Sequence, residues 1–492
     1  MKRYILSLLF VSLTSVLQAG ATWSAGCQQV YDDIFNLKFS SAQSQIAVLM
    51  GKETENLMVP YLSHYLDFLE VILGEDPDLL LEVERKRENL LALLSKDENP
   101  NSLSRFLEGE VNLQWAMLQL NMANYLSGAL NARRAFKIYN ELYAVDPDFL
   151  PLKKSRGLLL TALGGLPDDL QWVVNLTGMK GDVNQGFLMV EEFIRESENT
   201  PYSLWNNEAI FFDVLLNFNF TDKQIAFDKA MKHTESLPAS HLCRIFIRGL
   251  IGMKSGNVEE ALKAILYRPK GKEYFPFPHL DYLAGLGMLY ADDPRCPDYL
   301  MTFLNNTSGP NRVKDAYLHL GYFYYLNGNL EKYQKAINNC LQRGDDKIDR
   351  DKQAMLEATL PLPDKKLLKA RFLFDGGYYD RAIAEIPENL GVKFSGNQFT
   401  EFNYRRGRIF QRMDNKPEAI KAYVIAQQQP NPDGLYFQGT AALELGRIFE
   451  SLGNKKLSSF YYSKCLSFLG FQYERGIKSK ARAGLDRIEK IN

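Results

Sequence analysis

The sequence predicts an all-α protein, a superhelical α-solenoid of stacked helix hairpins with a less regular N-terminal half. The first observation is a recurring pattern: a small residue, a large apolar one three on, a small or aromatic one twelve on and an apolar one sixteen on. Two copies near the C-terminus carry it, Gly407, Phe410, Ala419, Tyr423, Ala426 and Gly446, Phe449, Ser458, Tyr462, Cys465. The second is spacing, since Gly287 to Gly321 is a step of 34 residues, the length of one helix–turn–helix unit. The third is that the apolar residues keep a helical period and no alternating strand run occurs. A helix pair of this kind cannot bury its apolar face alone, so its neighbours must stack on it.

The chain has 492 residues, 46% hydrophobic and 24% charged, as folded proteins do. Lys+Arg 58 against Asp+Glu 59 gives a net charge of -1, which leaves no overall footprint for nucleic acid or an anionic membrane. Any charged site must be a local patch.

Residues 1–21 read as a secretory signal peptide. Lys2 and Arg3 form the basic end and Ile5 to Leu17 the apolar run, with Leu17-Gln18-Ala19 or Ala19-Gly20-Ala21 as the cleavage motif. A run of about 13 residues is short of the roughly 20 needed to span a bilayer. Ser24-Ala25-Gly26-Cys27 resembles a bacterial lipoprotein box, but Ser24 stands where Leu is preferred and Cys27 lies well beyond the apolar run, so a lipid anchor is disfavoured. Cys243, Cys296, Cys340 and Cys465 lack paired spacing and read as small buried hydrophobes.

Residues 22–150 form a helical region. Helices are expected over 28–49, 57–73 and 77–94, then a repeat with Met122, Ala123 and Leu126 on its first helix and Ala135, Tyr139 and Leu142 on its second, ended by Asp146-Pro147. Residues 151–235 are punctuated by Gly164, Gly165, Gly178, Gly181 and Gly186, which suggests close helix packing and short turns and does not match a phosphate loop. Residues 236–492 carry the regular repeats and a C-terminal capping helix, interrupted by a charged loop over 343–352.

These positions resemble the tetratricopeptide-repeat superfamily. Leu166-Pro167 with Gly178-x-x-Gly181-Asp182, Tyr274-Phe275-Pro276-Phe277 with Leu280-Asp281-Tyr282-Leu283, and Phe374-Asp375-Gly376-Gly377-Tyr378-Tyr379 are more particular. They resemble the tetratricopeptide-repeat-39 / inclusion-body-clearance family and similar secreted bacterial repeat proteins, over roughly residues 28–480. The resemblance implies an all-helical scaffold that associates with partners or aggregated cargo and has no known active site. The leader departs from the intracellular members, so their cellular role does not carry over.

The catalytic inventory is thin. His64, His233, His241, His279 and His319 are scattered without metal-ligand spacing and read as surface or groove histidines. Asp345, Asp346, Asp349 and Asp351 lack the Gly and terminal Glu of a calcium loop and read as a solvated turn and helix cap. Neither an enzyme nor a cofactor is expected.

The repeat phase does single out one stripe. The residue after each small packing position should face the concave side: Arg371, Arg408 and Arg447 in consecutive repeats, with Tyr404, Tyr322 and Tyr325 on the same stripe. Guanidinium groups flanked by rings could grip carboxylates or an extended peptide. The competing reading is neutralisation within the chain, by Asp375 for Arg371 and by Glu444 and Glu450 for Arg447, whereas Arg408 has no acid one turn away. The expected function is an exported scaffold for a protein or peptide partner, with no nucleic acid, in the periplasm or at the envelope of a Gram-negative bacterium. The alternatives are an outer-membrane nutrient-binding lipoprotein of the starch-utilisation D type and a superhelix holding a lipid or other apolar ligand.

Overall fold

A computed structural model describes residues 20–96, 100–166, 178–220 and 223–490. The expected leader up to Ala19, together with Pro167, lies outside the described residues. Every regular element described is helical, and the nearest thing to a strand is an isolated bridge between Gly20 and Asn56. The fold class the sequence predicts is the one observed. Among the described residues no helix is long and apolar enough to cross a membrane.

The chain forms two compact units, the first Met1–Asp222 with His241–Cys243 and Pro269–Phe277, the second Lys223–Ser240, Arg244–Arg268 and Pro278–Asn492. In the first, α1 (Ala25–Phe35), α2 (Phe39–Lys52), α3 (Met58–Gly74) and α4 (Pro77–Ser95) are followed by α5 (Ser102–Asn121) and α6 (Tyr125–Val145). Then come α7 (Pro151–Gly164), α8 (Val183–Glu196) and α9 (Asn206–Phe220).

Two expectations for this unit are corrected. The helix expected over 28–49 is two helices, because Leu37 turns left-handed (φ 57°) and reverses the chain. In the expected first repeat, Met122 and Ala123 (φ 59°) are the turn after α5, and Leu126 is exposed at the start of α6. The packing residue of α5 is Gly109, where a Cβ would collide with the Tyr139 ring, so the second helix has the expected phase and the first lies upstream. The glycine reading holds for α7 and α8. A Cβ on Gly186 would sit 2.5 Å from the Gly157 carbonyl oxygen, so the two backbones are in contact.

The core of the first unit contains charge. Lys154 is fully buried and its Nζ donates to Glu110 (2.7 Å) and Glu208 (3.1 Å). Tyr139 Oη donates to Glu110 (2.5 Å) and Tyr31 Oη to Glu208 (3.3 Å), while Phe106, Trp205 and Phe212 surround the ammonium. Arg87, also buried, donates to Asn131 Oδ1 (2.7 Å) and Asn112 Oδ1 (3.2 Å) over the Trp115 ring.

The second unit runs through α10 (Lys223–His233), α11 (Leu242–Ser255), α12 (Val258–Leu266), α13 (Pro278–Ala291) and α14 (Cys296–Asn306). It continues with α15 (Val313–Leu326), α16 (Leu330–Gln342), α17 (Asp349–Thr359), α18 (Lys365–Asp375) and α19 (Tyr379–Glu385). The last are α20 (Gly396–Arg412), α21 (Lys416–Gln428), α22 (Phe437–Ser451), α23 (Lys455–Ser467) and α24 (Glu474–Lys490). Hairpins α13/α14, α15/α16, α18/α19, α20/α21 and α22/α23 pair closely, and Gly249 sets α11 against α12; α17 is inserted singly on α15/α16, α18 packs on α13, and α24 covers the end.

The sixteen-residue rule is a physical contact. A Cβ on Gly249 would stand 2.8 Å from Ile265, on Gly321 3.2 Å from Ile337 and on Gly407 2.6 Å from Tyr423, and Gly446 meets Tyr462 in the same way. The glycine lets the second helix lay a large side chain on the first helix's backbone. These are hairpins of the tetratricopeptide type. First helices also touch one another, α13 with α15 and α18, α18 with α20 and α20 with α22, whereas second helices pack chiefly on first helices, so the first helices form the inner, crowded layer of this unit.

Burial overturns two side-chain readings. His64, His241 and His319 are buried rather than on a surface. Asp351 is not solvated: its carboxylate accepts from the amides of Arg312 (2.6 Å) and Asp315 (3.0 Å), satisfying the first turn of α15 from the neighbouring α17. All five cysteines are free and buried, which for Cys243, Cys296, Cys340 and Cys465 is the expected burial.

Candidate functional site

The six residues of the expected stripe all fall on first helices of the second unit: Tyr322 and Tyr325 on α15, Arg371 on α18, Tyr404 and Arg408 on α20, Arg447 on α22. Their surroundings differ. Arg371 donates Nη1 and Nη2 to Glu357 of α17 at 2.9 and 3.0 Å, and the Tyr322 hydroxyl donates to the same carboxylate at 3.1 Å. Burial by itself would raise the Glu357 carboxyl, but the Arg371 ion pair, with help from Gln353, outweighs it and holds the group at about 2. Tyr322 is buried within this cluster.

Arg447 pairs with Glu444 at 2.8 Å, and at a side-chain exposure of 44% that pair is open to water. Tyr404 is buried against Phe437, Tyr436 and Tyr423 and fills the seam between α20 and α22. Tyr325 donates its hydroxyl to the Pro363 carbonyl at 2.9 Å, with Lys365 over its ring.

Arg408 is the exception. It is half-buried, its guanidinium carbon lies 4.1 Å from the Phe374 ring centre and 5.8 Å from that of Tyr404, and among the described residues it has no hydrogen bond or ion pair. Such a group is desolvated on one side by a ring while its donors stay unbonded. Further cations lie on the same inner side. Burial, then the charges of Arg408 and Arg412, lower the Lys223 ammonium, and burial, then Arg350, Lys223 and Arg312, lower that of Lys254. Asp375 acts on both Lys223 and Arg408 in the opposite sense.

A second polar cluster closes the inner layer nearer α13. Tyr282 Oη donates to Asp315 Oδ2 (2.6 Å), His319 Nδ1 approaches both the backbone oxygen (2.8 Å) and carboxylate (3.3 Å) of Asp315, and Arg350 Nη1 donates to Tyr282 Oη (3.2 Å). Burial works against ionising Asp315, yet His319 and Arg350 bring its carboxyl down to about 2. The Asp315 carboxylate is thus fully engaged by its neighbours, which suits a structural ion cluster better than a proton relay. Among the described residues no group of His, Cys, Asp and Glu is arranged to hold a metal ion.

Sequence reasoning missed Glu357, Asp315, Arg350 and the Phe374 platform. Glu357 is 14 residues from Arg371, on the inserted helix α17, beyond any one-turn spacing. Phe374 lies on α18 while Arg408 is on α20, and the only signal was that both stand on inner stripes.

No family model matches the sequence, and no curated protein matches it. Among solved structures the chain is similar to a human IFIT1 dimer with m7Gppp-AAAA, at 14% identity and a TM-score of 0.26 over 95% of this chain and 94% of that one. It is also similar to yeast Tom70, at 11% identity and a TM-score of 0.25 over 94% and 88%, and to the APC/C hetero-tetramer Cut9-Hcn1, at 11% and 0.22 over 93% and 95%. Superpositions this loose say nothing about what the present chain binds.

Proposed function

We propose that this chain is an exported, non-enzymatic repeat scaffold whose second unit holds an extended, acidic segment of a protein or peptide partner on its inner face. Arg408 carries the reading. Arg371 and Arg447 are answered by Glu357 and Glu444, whereas Arg408 is half-buried on Phe374 with no acid bonded to it. A carboxylate arriving there meets a preoriented guanidinium with Arg412 and Lys223 in its field, so a partner's acidic side chains would be drawn to this end of the inner layer. The lipoprotein alternative gains nothing, because Cys27 is buried within α1.

A fluorescent oligoglutamate peptide titrated at low and high salt tests the reading. Binding should weaken with salt, as an electrostatic contact does. Arg408→Ala should lower affinity by about 2 kcal/mol, roughly thirtyfold, while stability changes by less than about 0.5 kcal/mol. Equal binding by the wild type and by Arg408→Ala would remove Arg408 from the site.

A further inference from the structure

We propose that the first unit holds a small monovalent anion of the halide class, buried between α3 and α4 and gripped by the Nε–H of Arg87 and a ring N–H of His64. On α4 the buried stripe runs Val83, Arg87, Leu90 and Leu94, so a guanidinium occupies a place where the helix period calls for an apolar side chain. Arg87 is 5% exposed, and His64 on α3 is 2% exposed. Helices α3 and α4 pack on each other, and the charge that acts on the His64 ring is that of Arg87.

The guanidinium is bonded but not balanced. Its Nη2 donates to Asn131 Oδ1 at 2.7 Å and to Asn112 Oδ1 at 3.2 Å, and both acceptors are neutral. Each amide is held toward it by its own helix, since Asn112 Nδ2 donates to the Glu108 carbonyl and Asn131 Nδ2 to the Ser127 carbonyl. Asn131 Oδ1 also accepts from Arg134 at 3.5 Å, so a second cation shares the same neutral oxygen. Among the described residues Arg87 has no ion pair, Glu84 and Glu88 acting on it without bonding it. Burial, then Arg134, lowers its pKa to about 10, which leaves it charged at neutral pH. An unanswered charge at this depth strongly destabilises a fold.

The same two side chains carry unused nitrogens. Arg87 Nε and both ring nitrogens of His64 are buried and without a hydrogen-bond partner among the described residues. The Arg87 Nε–H is always a donor and a neutral imidazole keeps one N–H, so together they offer two donors and one net positive charge. The asparagine oxygens hold the Nη2 side, which leaves Nε as the edge for an anion. Water there would satisfy the donors and leave the charge, whereas a monovalent anion answers both. A partner's carboxylate cannot reach it, because neither side chain comes to the surface. A halide fits two donors because it is spherical and accepts from any direction, where a phosphate would demand more of them.

Two measurements on the full chain test it. Thermal melting is followed in sodium chloride and in sodium fluoride at equal ionic strength, with chloride as the probe and the strongly hydrated fluoride as the control. The wild type should melt about 2–4 °C higher for each roughly fivefold rise in chloride above the dissociation constant, and Arg87→Met should lose the difference between the salts. Equal melting of the wild type in both salts, or a difference that Arg87→Met keeps, overturns the site. An anion beside the ring would also lift the His64 pKa, so the fluoride sample is the reference for its titration. Crystals of the wild type soaked in sodium bromide give a reading that needs no variant: anomalous density is expected within hydrogen-bond reach of Arg87 Nε and the His64 ring. Water alone at that place, or bromide seen only at soak concentration while melting is indifferent to chloride, overturns the inference.

Discussion

Lys154 in the first unit and Arg408 in the second are both cations set among aromatic rings, yet one is shut from water and the other is not. Lys154 lies between Glu110 and Glu208, with tyrosine hydroxyls on both carboxylates, so every charge is answered inside the protein. Burial and the neighbouring Glu110 push the Glu208 carboxyl up even though Lys154 opposes them, so a proton is held more tightly in this cluster than in water. Among the described residues Arg408 has the rings without a bonded acid, Asp375 acting on it without a hydrogen bond or ion pair. A closed cluster of this kind serves the fold, because nothing outside can reach it. An open cation can serve a partner, because its missing counter-charge has to come from elsewhere.

The largest test of this contrast is Lys154→Ala. It leaves two buried carboxylates facing each other and should cost about 3–5 kcal/mol in urea unfolding. Lys154→Met with Glu110→Gln and Glu208→Gln should recover most of that loss, because it removes the charges together. A loss under about 1 kcal/mol for the single change would mean that the cluster is not closed.

Gly407→Leu comes next. Gly407 packs on Tyr423 and Arg408 is the next residue, so the two should separate structure from binding. Thermal melting should show roughly 1–3 kcal/mol of destabilisation from overpacking. If Gly407→Leu is neutral and Arg408→Ala unfolds the protein, the inner stripe has been assigned to the wrong helix face.

His64 sharpens the picture of the closed unit. Its ring is buried with no partner on either nitrogen among the described residues, and burial, with Arg87 acting on it, depresses its pKa to about 3. A depressed folded pKa means that the unfolded chain binds the extra proton, so stability is present above pH 6.5 and falls as the pH drops toward 3. Between pH 7.5 and 5.5 the expected loss is about 1.4 kcal/mol. His64→Leu should flatten that part of the pH profile, and an unchanged slope would show the ring to be hydrated.

Arg447→Ala has the smallest expected effect. Its pair with Glu444 is exposed, and such pairs contribute about 0.2–1 kcal/mol. Oligoglutamate binding should change far less than for Arg408→Ala. A comparable loss would extend the open site to α22.

The hairpins were legible because their signal is local. A glycine and a ring sixteen residues apart, as in Gly407 with Tyr423, must meet if two adjacent helices fold back on each other, and only that turn is needed to bring them together. The glycines of residues 151–235 signalled only that helices would pack closely there, and the structure supplies the partners, Gly186 of α8 against Gly157 of α7. The sixteen-residue rule failed at α5, where Gly109 and Tyr139 lie 30 residues apart because both helices are long, and it led to Ala123 instead.

The sequence by itself determined that the chain would be helical, that its C-terminal half would stack in hairpins, and that Arg371, Arg408 and Arg447 would stand on first helices. Only the tertiary structure decided which of those arginines is answered. Glu357 reaches Arg371 from an inserted helix, Glu444 reaches Arg447 along its own, and Phe374 reaches Arg408 from the preceding hairpin without bringing a bonded carboxylate. The physical reason is range: periodicity is set by bonds between near neighbours, whereas charge balance is set by whichever side chains the stacking of whole helices brings within a few ångströms.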